Sequence, residues 1–198
     1  TARFQLKAAR YGTGTAIFAY GNSTSDVSMS NLVNSSGVVS TDVTGVGTGR
    51  AGLAAAGYGG DKAVFAYGDD PVVSLKNLVT NEGVVGNDVT GVGTARRELA
   101  AASYGVGLAI FAYGQNSGGR LSISNKVNSS GVIASDTSGV GTARRDIAAS
   151  EYGGDKAAFA YGRTAGASYL SLKNLVSNTG TVSADVTGVG TARSSLAA

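Results

Sequence analysis

Arginine and aspartate form the recurring charged pattern of this sequence, and each aspartate precedes the next arginine by eight residues. A ring of such charges could bind an anion or a metal ion at a central channel. Repeated opposite charges more commonly form ion pairs that fix the register of neighbouring segments. We therefore predict structural ion pairs among Asp42, Arg50, Asp88, Arg96, Asp136, Arg144, Asp185 and Arg193, with Arg3 as the first arginine of the series.

The residue types needed for most enzyme mechanisms are missing. The chain has no histidine and no cysteine, which excludes Ser-His-Asp and Cys-His sets and metal sites built on those ligands. The adjacent carboxylates Asp69 and Asp70 precede Pro71 in a loop that varies between repeats. We predict no enzymatic activity, no metal and no cofactor.

A glycine-rich motif, Asp-x-(Thr/Ser)-Gly-Val-Gly, also recurs, as in 42–47. Calcium needs six to eight oxygen ligands, and the motif supplies one carboxylate, so an Asx turn is the better interpretation. The Gly-Val-Gly fragment opens no helix and lacks the Lys-Ser/Thr pair of a phosphate-binding loop. The motif therefore predicts a turn.

The same features recur with a period of 46 to 49 residues. Threonines 1, 48, 94, 142 and 191 each begin a Thr-x-Arg, so we divide the chain into unit 1 (1–47), unit 2 (48–93), unit 3 (94–141), unit 4 (142–190) and an extra first strand (191–198). The 31 glycines fall at fixed repeat positions beside a single proline, which favours ordered turns over disorder. The units are predicted to form one repeat domain.

Each unit predicts four short strands. The first is Leu-Ala-Ala-Ala-x-Tyr, as in 53–58, and its alanines suit the innermost position of a tightly packed repeat. A glycine turn leads to Ala-x-Phe-Ala-Tyr, and the third strand covers 27–33, 73–79, 121–127 and 170–176. A fourth strand is predicted at 84–89 and at the equivalent positions. Short strands with regular turn signals are typical of sandwiches, barrels and propellers.

The unit resembles a kelch-type β-propeller blade. Thr94-Ala95-Arg96, Leu99 to Ala102 and the run from Ala109 to Gly114 match the first half of the kelch pattern in order and spacing, and kelch repeats are about 50 residues long. The sequence has Tyr-Gly where kelch has a double glycine, ends its third strand in Asn-Leu-Val, and has no tryptophan. The resemblance implies a four-bladed kelch-like β-propeller; a β-solenoid is the alternative. If four blades close into a ring, Thr1–Ala9 and Thr191–Ala198 compete for one innermost position, which suggests strand exchange with a neighbouring subunit.

Aromatic residues supply the candidate contacts with a partner. The Phe-x-Tyr pairs (18/20, 65/67, 111/113 and 159/161) lie at i and i+2, which predicts that both rings share one strand face and pack between units. A second tyrosine in each unit is expected at an exposed hairpin edge. With the variable loops after the second strands, these tyrosines give our candidate partner-binding residues: Tyr11, Tyr58, Tyr104, Tyr152, Asp69, Asp70, Arg120, Arg163 and Tyr169.

The net charge of +3 is too balanced for a nucleic-acid interface, and no apolar run is long enough to span a membrane. Nearly identical tandem repeats of this kind also resemble kelch-like repeats in the structural proteins of phages and environmental viruses. We therefore expect a structural protein of a virion or an extracellular filament, whose partners are itself or other virion proteins. A carbohydrate- or receptor-binding propeller of the phage-tail type is the alternative.

Overall fold

The structure is all-β and consists of small antiparallel sheets, none of which closes on itself. The computed structural model describes residues 1–69 and 71–197. Each unit contributes one three-stranded sheet in which the second strand is central. The strands are β1 (Lys7–Tyr11), β2 (Thr15–Ala19) and β3 (Ser30–Val33) in unit 1; β4 (Ala54–Tyr58), β5 (Lys62–Gly68) and β6 (Val73–Val79) in unit 2; β7 (Ala100–Tyr104), β8 (Leu108–Ala112) and β11 (Ser124–Val127) in unit 3; and β12 (Ala148–Tyr152), β13 (Lys156–Ala160) and β14 (Lys173–Val176) in unit 4.

Two short elements lie in the variable loops. Strands β9 (Gln115–Asn116) and β10 (Gly119–Arg120) form a small ribbon in unit 3, and Ala165–Ala167 form one 3-10 turn in unit 4. Of the described residues, none forms a helix long and apolar enough to cross a membrane.

The predicted fourth strand is not a strand. Only isolated bridges join this segment to the third strand, for example Val85 to Val79 and Val89 to Lys76. The bridging residues are four apart on one side and three apart on the other, and the same mismatch occurs in every unit. One extra residue between two bridges interrupts a ladder as a β-bulge does, so continuous pairing cannot form.

The first strand of each unit lies innermost, as the alanine pattern predicted. It is the free edge of its sheet, and β1, β4, β7 and β12 pack against one another in that order. First-strand residues of all four units line one cavity of about 550 Å³. The four units therefore curve around a shared axis.

Backbone hydrogen bonds and apolar clusters join each unit to the next. The hairpin turns are linked by N–H groups that donate to the following unit, from Gly12 to Asp61 (2.6 Å), Gly59 to Gly107 (2.9 Å) and Gly105 to Asp155 (2.7 Å). Three buried clusters fill the joints between units 1 and 2, 2 and 3, and 3 and 4. Among the described residues, no comparable packing of first strands joins β12 back to β1, so the array is open.

Residues 191–197 form no strand, in contrast to the prediction of an extra first strand. They contain only a single bridge, from Arg193 to Leu170. The difference has a simple origin, because 191–197 correspond to 1–7 and the strand of unit 1 begins only at Lys7.

Candidate functional site

The recurring arginine is a buried side chain that ties two successive units together. The Arg50 guanidinium lies 4.3 Å from the ring centroid of Tyr20 in the preceding unit. Within its own unit, Nε donates to the Tyr67 carbonyl (2.8 Å) and Nη2 donates to Oδ1 of Asn77 (2.7 Å). A cation over an aromatic face is attracted by the ring's quadrupole, and more strongly when water is excluded. Arg96 and Arg144 are equally buried and lie over Tyr67 and Tyr113 at 4.0 and 4.2 Å.

Arg50 and Arg144 each lie beside the aspartate at the end of their own unit, although the sequence spacing emphasised the aspartate eight residues before them. Nη1 of Arg50 is 3.9 Å from Oδ1 of Asp88. Asp88 accepts hydrogen bonds from the backbone N–H and the hydroxyl of Thr48 (2.9 and 2.7 Å) and from Nδ2 of Asn77 (2.9 Å). Asp42 accepts equivalent bonds from the Thr1 hydroxyl and Asn31. The aspartate thus connects the beginning of a unit to its end.

Burial shifts the ionisation of this cluster. It lowers the pKa of the Arg50 and Arg96 guanidinium groups and raises the pKa of the Tyr20 hydroxyl to about 12. Burial also opposes ionisation of Asp88, but hydrogen bonds from Thr48 and Asn77 outweigh it and hold the pKa of that carboxyl below its usual range. Arginine stays protonated at neutral pH in proteins. The cluster is therefore a charged, internally bonded joint.

The lowered pKa values of these aspartates predict that the free energy of unfolding falls in acid. Hydrogen bonds lower the folded-state pKa of Asp88, Asp136 and Asp185, so the unfolded chain takes up protons more readily. Their contribution to the free energy of unfolding is fully present above the ordinary pKa of about 3.9 and is lost as the pH falls through the lower folded-state values.

We expect the free energy of unfolding, from urea titrations followed by circular dichroism, to fall steadily below about pH 4. The triple variant Asp88→Asn, Asp136→Asn, Asp185→Asn should be less stable at neutral pH and show a shallower fall in acid. A triple variant with the wild-type pH dependence would assign the acid sensitivity to other carboxylates.

The donors of the inner arginines are directed mainly at groups of the chain itself. Those of Arg50 and Arg144 meet carbonyl and amide oxygens, whereas the buried Nε of Arg96 has no hydrogen-bond partner. No group of three or more Asp or Glu side chains within 1–69 and 71–197 is arranged to hold a metal ion. The cluster stabilises the joint between units through hydrogen bonds and contacts between cation and ring.

Three of the four tyrosines predicted to be exposed are buried. Tyr11, Tyr58 and Tyr104 are 6%, 4% and 3% exposed, and only Tyr152 is open to solvent, at 41%. The first three rings are covered by the unit that follows, where each lies against a turn glycine: Gly83, Gly131 and Gly180. Tyr152 is in unit 4 and has no following unit against it in the described chain.

The prediction that Phe and Tyr of one pair share a strand face is also wrong. Phe65 packs on Tyr20 of unit 1 (centroids 5.4 Å apart), whereas Tyr67 packs on Phe111 of unit 3 (5.5 Å). The physical reason is the backbone of the tyrosine, which has φ of +65° and so leaves the alternation of a strand. Each unit therefore has a leading face that carries its Phe and a trailing face that carries its two Tyr.

The charged candidates in the variable loops make contacts within the protein. Asp69 forms an ion pair with Arg97, and Nε of Arg163 donates to Asp146 (2.6 Å). Asp70 lies outside the described residues. Arg120 belongs to the β9–β10 ribbon and is half-buried, and Tyr169 is 54% exposed. The structure does not bring these residues together into one site.

Sequence reasoning missed the role of two repeated residue types. The asparagine of the third strand (Asn31, Asn77, Asn125, Asn174) connects arginine to aspartate in its unit. The last glycine of Gly-Val-Gly lies against the same cluster of the next unit, because a Cβ on Gly47 would collide with Asp88 and Asn77. The signal was available, since both residues recur at fixed positions, but spacing does not reveal a partner as distant as the arginine, which lies 27 to 30 residues before its asparagine.

Comparison with known proteins does not assign the chain to a family. No protein-family model matches the chain, and no curated protein is significantly similar to it.

Proposed function

We propose that the chain is a non-enzymatic structural repeat protein, an open kelch-like propeller array of four blades that associates with other copies of itself. One observation supports the proposal above all. The same joint between a trailing and a leading face is made three times within the chain, and the two faces that remain at the ends are only partly covered, with Phe18 37% and Tyr152 41% exposed.

The exposure of equivalent phenylalanines supports this reading of the leading end. Phe65, Phe111 and Phe159 are fully buried, whereas Phe18 in unit 1 is 37% exposed. A Cβ on Gly37 meets nothing within 4 Å, although the equivalent glycines of units 2 to 4 lie against a tyrosine. The ring that is buried at each of the three internal joints is therefore partly exposed at the leading end, where a further unit could cover it.

The test is the state of the purified protein without any added ligand. We expect light scattering and negative-stain electron microscopy to show larger particles or filaments as the concentration rises. A monodisperse monomer at all concentrations would overturn the proposal. The kelch-like repeat pattern is what connects such an assembly to a virion or an extracellular filament.

A second candidate function, binding of a carbohydrate, is favoured by the axial cavity. Arg10, Ser103 and Glu151 place polar groups around its volume of about 550 Å³, and sugar hydroxyls need such donors and acceptors. A glycan array is the direct test. Binding that is lost in Ser103→Val would support a lectin, and an array without binding would exclude the sugars tested.

A further inference from the structure

We propose that two copies of this chain join head to tail, with the trailing face of unit 4 on the leading face of unit 1, and that Glu151 and Arg10 select this arrangement. The inference rests on the proposed self-association and names its partner and its register. It follows from one position in the first strand, occupied by Arg10, Gly57, Ser103 and Glu151 in successive units.

Residues at this position touch from one unit to the next. The Ser103 hydroxyl donates to the Gly57 carbonyl (3.0 Å), and a Cβ on Gly57 would lie 3.4 Å from the Arg10 carbonyl. The inner units thus carry small neutral residues at the joints. The two end units carry opposite charges, and both side chains are exposed.

A second copy placed by the rule of the three internal joints would bring Glu151 of one copy beside Arg10 of the other. An ion pair would form at the position of the new joint that is equivalent to the contact between Gly57 and Ser103. The same placement puts Tyr152 against Gly37, just as Tyr11 lies against Gly83. The uncovered ring and the open turn are complementary in shape, and the exposed charges are complementary in sign.

A second copy is a better occupant of these faces than the opposite end of the same chain. Ser195 N–H donates to the Asp146 carbonyl (2.9 Å), which holds 195–197 on unit 4. Leu196 and Ala197 line a cavity together with Leu6 and Phe18 of unit 1. These residues lie between unit 4 and unit 1 along that cavity, and the described strands of unit 1 do not pack directly on those of unit 4.

Residues 191–197 correspond to 1–7, so they already occupy the place of an added unit's first residues. The joining copy's own residues 1–6 hold the equivalent place on unit 1, where Arg3 Nη1 donates to the Met29 carbonyl (2.7 Å) and Phe4 pairs with Asn22, so one of the two segments is displaced when the joint forms. This arrangement leaves Arg10, Phe18 and Gly37 of the joining copy free to make the contacts described.

The experiment uses charge reversal and mixing, followed by sedimentation velocity. Arg10→Glu and Glu151→Arg each place like charges at the joint, and each variant alone is expected to associate at least about tenfold more weakly than wild type. An equimolar mixture should recover wild-type association, because every joint between unlike chains then pairs opposite charges. The double variant Arg10→Glu, Glu151→Arg should also recover it.

Glu82→Arg is the matched control, since Glu82 is an exposed residue of a turn in unit 2 and should leave association unchanged. Circular dichroism checks that each variant folds. Tyr152→Ser gives an independent readout at an exposed position, with association reduced by about tenfold or more.

The outcomes separate this inference from the proposed function. Wild type that associates while the reversed variants associate equally well would overturn the head-to-tail arrangement and leave self-association standing. If both single variants lost association and the equimolar mixture did not recover it, the head-to-tail arrangement would also be overturned. Such a defect would arise from contacts within one chain, which mixing cannot restore. Wild type that stays monomeric would overturn the proposed function and this inference together.

Discussion

Replacing Arg50 with methionine is expected to lower the free energy of unfolding by about 3–5 kcal/mol. Arg50 has no exposed surface, and its guanidinium fills the joint between units 1 and 2. Methionine keeps the aliphatic volume but leaves the Tyr67 carbonyl and the Asn77 amide oxygen without their buried donor. The attraction to the Tyr20 ring is lost as well. Urea denaturation followed by circular dichroism measures the change.

Arg193→Met provides the matched control at the same position of the repeat. Arg193 lies over Tyr161 at 4.1 Å but is exposed, and its guanidinium donates to the Thr191 carbonyl. We expect a loss of less than about 1 kcal/mol, as for an exposed cation near a ring. If Arg193→Met destabilised the protein as much as Arg50→Met, the buried hydrogen bonds would not be the source of the effect.

The sequence predicted the features that depend on neighbours along the chain. Alternation and glycine turns located the first three strands of each unit to within a few residues, because hairpin pairing is set by adjacent segments. The runs of alanine correctly predicted the innermost strand. The prediction of a fourth strand was wrong because composition does not reveal the extra residue that lies between its two bridges.

The joints between units could not be predicted, since they depend on which segment of one unit packs against which segment of the next. Tyr58 and Tyr152 occupy the same position of the repeat, yet a following unit covers only the first. The arginine network needed a tertiary fold to show that Asn77 and Asp88 meet Arg50 across a whole unit. Phe65 and Tyr67 were expected on one strand face, but the left-handed backbone at Tyr67 places the two rings on opposite faces of the unit.

Replacing Phe111 with alanine is expected to cost about 3–5 kcal/mol, the range for removing a buried aromatic ring and leaving a cavity. The ring is fully buried between units 2 and 3, where it packs on Tyr67 together with Leu99 and Val127. In a repeat array the loss falls on one joint, so unfolding can separate into two steps. Urea titrations of wild type and variant should show a lower first midpoint.

Phe18→Ala removes the same ring at the open leading face, and the comparison tests whether that face is free. Phe18 is 37% exposed, so in dilute solution the loss should stay near 1 kcal/mol. At concentrations where copies associate, Phe18 becomes part of a joint, and the cost should rise toward that of Phe111→Ala. Equal costs at every concentration would mean that Phe18 is covered within one chain and that the array closes on itself. A small cost that never rises with concentration would mean that no second copy packs on this face.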